Sequence, residues 1–255
     1  MRRSAGRPTD WYEESFDELY RLLYQHRDLE EASRALASIG ERFDLRAGRV
    51  LDLGCGPGRY LRALATRGVR GFGLDLSLPL LREARRRLSA TPLVRGDMRR
   101  LPFRDRSFRT VLLMFTTFGY FAERTDDERV LAEVARLLEP HGAFVLDYVN
   151  GRHVRENLVP RSGRLVRNLT VQETRWIDPS GPFLCKETTV SPVPRAGRNV
   201  YRERLRLYEP DELASMVEVA GFDLIARKGG YRGEPFHART SPRLLLFAVA
   251  REGQR

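Results

Sequence analysis

Residues 50–58 read Val-Leu-Asp-Leu-Gly-Cys-Gly-Pro-Gly, a short apolar strand running directly into a turn with glycine at Gly54, Gly56 and Gly58. Such a strand-to-helix turn opens a β-α unit, because glycine accepts left-handed backbone and lets the main chain reach van der Waals contact with a ligand. Asp52 lies two residues before the first glycine, and Asp75 closes the next strand-like segment, Arg-Gly-Phe-Gly-Leu-Asp. The two acids point to a nucleoside-type cofactor lying along the edge of a parallel sheet.

From residue 49 onward strand and helix patterns alternate. Strands are expected at 50–53, 70–75, 93–95, 110–115 and 143–147. A helix over 58–67 is capped by Gly68, and Ser77 offers an N-cap to one that turns Leu81, Ala84 and Leu88 inward. Thr125-Asp126-Asp127-Glu128 reads as a capping box for a helix ended by Pro140-His141-Gly142. Upstream, 11–40 reads as two helices forming a cap, the first with Phe16, Leu19, Tyr20, Leu23 and Tyr24 on one face. The grammar changes over 151–208, where strands at 169–176, 183–190 and 201–208 flank turn signals and predict an antiparallel insertion. A helix at 210–220 and strands at 223–228 and 243–250 follow. Repeated β-α units predict a doubly wound parallel sheet with ligands at the carboxyl ends of its strands.

Composition narrows the function classes. No run of about 18 apolar residues exists to cross a membrane, and the first ten residues lack the apolar core of a secretory signal. Cys55 and Cys185 belong to no Cys-x-x-Cys or Cys/His cluster, so no metal site is expected and a reduced, cytoplasmic protein is the simplest reading. The net charge of +11 raises nucleic acid as a partner. Yet among the 45 basic residues only Lys186 and Lys228 are lysine, and the arginines are spread along the whole chain. That distribution reads as arginine-rich codon usage at least as readily as a functional basic surface.

The segment 50–58 resembles motif I of the class I S-adenosylmethionine-dependent methyltransferases. Asp75 matches that family's ribose-binding acid, and Gly96-Asp97-Met98 with Leu101-Pro102-Phe103 is similar to its adenine-contacting segment. Leu138-Glu139-Pro140-His141-Gly142 resembles its Leu-x-Pro-Gly-Gly turn, with His141 in place of one glycine. The likeness covers 49–150 and, more weakly, 209–251. It implies a Rossmann-like, doubly wound, mostly parallel seven-stranded sheet with the last strand antiparallel. The chain would then be a single methyltransferase domain over 1–255: helical cap 11–40, cofactor-binding core 49–150, insertion 151–208, last helix and strand pair 209–251. It implies S-adenosylmethionine as cofactor and S-adenosylhomocysteine as product. The implied cofactor residues are Asp52, Gly54, Cys55, Gly56, Gly58, Tyr60, Asp75, Leu76, Asp97, Met98 and Phe115. In physical terms, N–H groups of the turn and the following helix start suit a carboxylate or ribose. Asp75 can accept both ribose hydroxyls, and Asp97 the adenine amino group, although a plain turn role also suits Asp97. Cys55 reads as a small filler rather than a nucleophile. A dinucleotide fingerprint fits worse, since its third glycine would fall at Arg59.

The acceptor is harder to read, because aligning an activated methyl with its nucleophile asks for few specific groups. Four regions are candidates for its pocket: the aromatic N-terminal helix, the 117–121 loop, 147–150 after strand five, and the insertion. Candidate bases are His26, His237, Tyr20 and Tyr120, though His26 and His237 suit solvated positions as well. Thr116-Thr117-Phe118-Gly119 lacks the (Asn/Asp)-Pro-Pro-aromatic signature of base amino-methyltransferases, and no cysteine follows strands four or five. The leading expectation is therefore transfer to a small molecule by a monomer or homodimer. An RNA or DNA methyltransferase, and a cofactor-binding protein without transfer, stand as alternatives.

Overall fold

The structure, a computed structural model, describes residues 29–192 and 200–252. The aromatic N-terminal helix pattern, with Tyr20 and His26, lies outside them. The described chain begins with α1 (Leu29–Gly40) and then alternates through β1 (Val50–Leu53), α2 (Arg59–Ala65), β2 (Gly71–Asp75), α3 (Leu78–Arg87), β3 (Leu93–Arg95), β4 (Phe108–Leu113), α4 (Arg124–Leu137) and β5 (Leu138–Val149). Helix α5 (Gly151–Asn157) leads into strands β6 (Arg161–Val166), β7 (Leu169–Ile177), β8 (Phe183–Ser191) and β9 (Val200–Arg206). Helix α6 (Pro210–Val219), β10 (Phe222–Lys228) and β11 (Arg243–Ala250) complete it.

Seven strands form one sheet in the order β10-β11-β5-β4-β1-β2-β3, with β11 antiparallel to both its neighbours and the remaining pairs parallel. This is the mostly parallel seven-stranded sheet with an antiparallel last strand that the resemblance implies. Its central strands are apolar on both faces, as burial between two helical layers requires. Leu51, Leu53, Val111, Leu113, Phe144 and Leu146 point into the core covered by α4 and α6. Val50, Leu112, Val145, Leu245 and Phe247 point to the opposite core, covered by α1 and α2. Asp52 and Asp147 fall on this second face by the two-residue period of their strands. The insertion is a separate antiparallel sheet, β6-β7-β8-β9, joined to the first core through Leu205 and Tyr208.

Several boundaries differ from the sequence expectation for physical reasons. Helix α4 starts at Arg124 after Glu123, which makes no side-chain cap. The capping box expected at Thr125 therefore does not form, and Asp127 turns into the core instead. The Pro140-His141-Gly142 turn does not separate helix from strand. It lies within β5, where β4 pairing skips from Leu138 to Ala143 and His141 takes a left-handed φ of 58°, a bulge rather than a loop. β4 ends at Leu113, and Phe115 lies beyond it. The insertion holds an extra helix, α5, whose cap Asn150 accepts from the N–H groups of Arg152 and His153, and an extra edge strand, β6.

Candidate active site

The glycine turn is built by the protein's own packing as much as for a ligand. Gly54, Gly56 and Gly58 have φ of 75°, 53° and 80°, so each sits where other residues are strained. A Cβ at Gly54 would meet Thr117 Cγ2 at 2.1 Å, and one at Gly58 would meet Leu88 Cδ1 at 2.5 Å. A Cβ at Gly56 would meet only Leu80 Cδ1, at 3.9 Å. Ligand approach therefore belongs to Gly56, while Gly54 admits the loop after β4 and Gly58 admits α3. The turn's N–H groups are also engaged: Gly54 and Cys55 donate to Leu74 O, Gly56 to Asp75 Oδ2 and Gly58 to Cys55 O. This corrects the expectation that they wait for a cofactor. The donors that remain are those at the start of α2, which no helical carbonyl satisfies.

Three acids surround this turn in different states. Asp52 is buried at the end of β1 and its Oδ2 has no hydrogen-bond partner. Burial, against the attraction of Arg59 and with the repulsion of Asp75, pushes its pKa up to about 7. Asp75 accepts from Gly56 N at 2.7 Å and Ser77 N at 2.8 Å, and burial holds its pKa above the usual value despite those donors. With Leu76 N–H as a third backbone donor, the carboxylate keeps part of its acceptor capacity. Asp97 is engaged by Arg99, which donates from its backbone N–H at 2.8 Å and through its guanidinium at 2.6 Å. Burial raises the Asp97 pKa, but the Arg99 donors outweigh it and leave the value lowered. The turn role is thus the one this carboxylate fills in the structure. Cys55 is buried, and burial followed by Asp52 and Asp75 drives its thiol pKa well up, as suits a filler.

The loop after β4 carries the least expected geometry. Phe115 and Thr116 both have left-handed φ, 61° and 60°, which costs on the order of 1–2 kcal/mol per residue without compensation. Compensation comes from Asp147, fully buried near the end of β5. Its Oδ2 accepts Phe115 N–H at 2.8 Å and the Tyr231 hydroxyl, its main-chain oxygen accepts Thr116 N–H at 2.9 Å, and its Oδ1 takes Arg243 Nε at 2.7 Å. Arg243 Nη2 reaches Thr116 Oγ1 at 3.2 Å. The Phe115 ring has the Arg243 guanidinium at 4.9 Å and that of Arg59 at 4.9 Å. Arg59 also lies 5.0 Å from the Tyr60 ring and pairs with Glu31 at 3.1 Å. Further along, Gly119 N–H donates to Asp127 Oδ1 at 3.2 Å and Gly119 O accepts from Arg206 N at 2.8 Å. Tyr208 donates to Asp127 Oδ2 at 2.7 Å. The loop is thereby tied to both α4 and the insertion.

Sequence reasoning missed Arg243, Tyr231, Asp127 and Tyr208, and it read 147–150 as pocket lining. Asp147, Tyr148 and Asn150 are instead buried and internally bonded, with Asn150 Nδ2 on Ala238 O and Ser241 O. Leu76 and Met98 are half-buried beside the first core, and Tyr120 is half-buried in the loop after β4. His237 is exposed between β10 and β11, its main-chain N–H bonded to Ser241 Oγ. Of the Arg202/Arg204/Arg206 stripe, Arg204 and Arg206 stack on Phe183 at 3.4 and 4.5 Å, while Arg202 pairs with Glu187 at 2.9 Å. Among the described residues no His/Cys/Asp/Glu group could hold a metal ion, and no helix is long and apolar enough to cross a membrane.

The donor set fits an S-adenosyl cofactor. An orphaned buried carboxylate oxygen on Asp52 suits an ammonium, Asp75 keeps acceptor capacity for ribose hydroxyls, and Gly56 leaves room at the main chain. Comparisons with known proteins agree. The methyltransferase domain family matches residues 50–142. The chain is 29% identical over 245 residues to the cypemycin N-terminal methyltransferase of a Streptomyces species, covering 92% of this chain and 96% of that one. It is 31% identical over 169 residues to the dTDP-3-amino-3,4,6-trideoxy-alpha-D-glucopyranose N,N-dimethyltransferase of Streptomyces venezuelae, covering 62% of this chain and 70% of that protein. Among solved structures it is similar to S-adenosylmethionine-bound CalS10, an amino pentose methyltransferase of Micromonospora echinaspora. The TM-score is 0.70 at 25% identity, over 91% of this chain and 97% of that one.

Proposed function

The chain belongs to the class I S-adenosylmethionine-dependent methyltransferases, which transfer a methyl group from that cofactor, and from that premise we propose that its small-molecule acceptor is an amine on a sugar or peptide scaffold. The observation that carries the choice of nitrogen is the near full-length likeness, insertion included, to the N-terminal methyltransferase acting on cypemycin. The similar aminosugar N,N-dimethyltransferase supports the same atom.

Bound S-adenosylmethionine supplies a methyl already activated on sulfur, so the chain's work is orientation and exclusion of water. In this reading Asp52 Oδ2 takes the cofactor ammonium, the N–H groups of the first turn of α2 receive the methionyl carboxylate while Gly56 leaves room for it at the main chain, and Asp75 accepts the ribose hydroxyls. Leu76 and Met98 flank the adenine, and Asp97 acts at one remove by holding the Met98–Arg99 turn. Cys55 and Tyr60 fill the floor beneath, with Gly54, Gly58 and Phe115 shaping it. A neutral amine carries its own lone pair, so no strong base is required, and Tyr120 and His237 serve at most in proton transfer. The whole chain acts as one methyltransferase domain. Its cytoplasmic placement rests on two free cysteines.

Two measurements test the reading. S-adenosylhomocysteine at about 100 times its dissociation constant is expected to stabilise the fold by roughly 2.7 kcal/mol, a thermal shift of several degrees, with no shift from NAD. Labelled methyl from S-adenosylmethionine is then offered to aminosugars and peptides with free N-termini, alongside hydroxyl analogues of each. Transfer to the hydroxyl analogues alone would overturn the choice of nitrogen. Tight cofactor binding with no transfer to any acceptor would favour a binding protein without activity.

A further inference from the structure

We propose that Asp147, acting through Arg243 and Tyr231, is a positioning residue that fixes Phe115 against the cofactor site. The proposal rests on the methyltransferase reading and deepens it, because Phe115 is a cofactor contact only within that reading. No part of the Asp147 carboxylate is exposed, so the residue acts through others. Its partners come from three separate places: the loop after β4, the β10–β11 connection and the start of β11.

The arrangement is more specific than a stabilising ion pair. A left-handed step at two consecutive side-chain-bearing residues does not arise from local preference, least of all at a β-branched threonine. Here both N–H groups of that step end on the same aspartate, one on its carboxylate and one on its main-chain oxygen. The guanidinium that neutralises the carboxylate also bonds Thr116 Oγ1 and lies over the Phe115 ring. On its other flank Phe115 meets Arg59, which immediately follows Gly58 of the cofactor turn. A chain of direct contacts therefore runs from Tyr231 and Arg243 through Asp147 to the backbone and ring of Phe115, and from there to the edge of the glycine turn. Backbone held in a sparsely populated region by its surroundings is a mark of functional sites.

The test uses Arg243→Lys, Arg243→Met and Tyr231→Phe in the full chain. Thermal unfolding, hydrogen exchange of the Phe115 and Thr116 amides and S-adenosylhomocysteine affinity are measured for each. Lysine keeps the charge beside Asp147 but loses the second donor to Thr116 and the planar stack on Phe115. Arg243→Lys is therefore expected to unfold near the parent temperature, to exchange the two amides at least about tenfold faster, and to bind S-adenosylhomocysteine about tenfold more weakly. Arg243→Met should lose stability as well, and Tyr231→Phe should show a smaller version of the lysine pattern with the fold intact. A merely structural pair would let lysine rescue affinity along with stability, and that result would overturn the proposal. Unchanged amide exchange in both Arg243→Lys and Tyr231→Phe would overturn it too, as would faster exchange with parental affinity. Failure of the parent protein to bind S-adenosylhomocysteine would instead sink the functional reading, and the exchange data would still judge whether Asp147 holds the loop.

Discussion

Asp52 is the residue whose charge state decides most. Its pKa of about 7 in the free protein is set first by burial, with Asp75 raising and Arg59 lowering it. A cofactor ammonium placed on the orphaned Oδ2 favours the ionised form, so binding below that pKa releases a proton. Affinity for S-adenosylhomocysteine should climb about tenfold per pH unit between about pH 5 and 7 and then level off. Asp52→Asn should bind more weakly with a flat profile. Calorimetric titration across that range checks both, and a flat parental profile would remove Asp52 from the site. Gly54 makes a second, steric prediction. Gly54→Ala should cost about 3 kcal/mol, from the left-handed φ together with the Thr117 clash. Adding Thr117→Ser removes the offending Cγ2, so the double variant should regain the overpacking part and keep a deficit of about 1–2 kcal/mol. Urea unfolding of the cycle measures it, and strictly additive losses would show that the two residues do not meet.

Among the elements, the joint between insertion and core turns on Asp127 of α4. Burial raises its pKa to about 7, against the Tyr208 hydrogen bond and the charge of Arg206. A carboxyl whose folded pKa exceeds its unfolded value stabilises the fold fully below the unfolded value, and that stabilisation fades as pH rises through the folded one. Stability should therefore decline between about pH 4 and 7, with Asp52 contributing over the same window, and Asp127→Asn should lessen the decline while still accepting from Gly119 N–H. Unfolding midpoints at several pH values decide the matter, and an unchanged slope would place the titration elsewhere. Elements with a strong internal pattern were legible in the sequence: β3 and β11 fall where expected, and Ser77 caps α3 by accepting from Leu80 N. What escaped is what distant partners impose. The edge strand β6 reads Arg-Ser-Gly-Arg-Leu-Val, with no alternation to announce it, and exists by pairing with β7. Phe115 and Thr116 carry no local signal for left-handed backbone, since Asp147 enforces it from 32 residues away. Asp127 stood inside an apparent capping box, and the arrival of Tyr208 from the end of the insertion explains why it is buried. The glycine turn and the acid that closes β2 were legible as structure because glycine and acid spacing is local, whereas the loop after β4 depends on three other elements.

For the whole molecule, the question is what a net charge of +11 does. Much of the arginine is used as cross-linking. Arg136 donates to Leu101 O and Phe103 O and pairs with Glu133 and Asp105. Arg67 reaches Ser33 O and Ala63 O, Arg155 reaches Leu207 O and Glu209, and Arg99 joins Asp97 to Asp126. These are forked contacts between separate segments, a task for which lysine's single ammonium is poorly shaped. Such guanidinium groups already bond carboxylates and carbonyls of this chain, which leaves them fewer donors for phosphate. Any binding to RNA or DNA should therefore be weak and nonspecific, fading by about 150 mM salt with a shallow dependence of log K on log salt. Electrophoretic or anisotropy titrations over a salt series measure that slope. A steep slope, corresponding to about six or more phosphate contacts, together with methyl transfer to the nucleic acid, would move the acceptor from a small amine to a polynucleotide. The proposed cofactor residues are independent of that outcome, because Asp52, Asp75 and the glycine turn are built by the sheet and not by the surface charge.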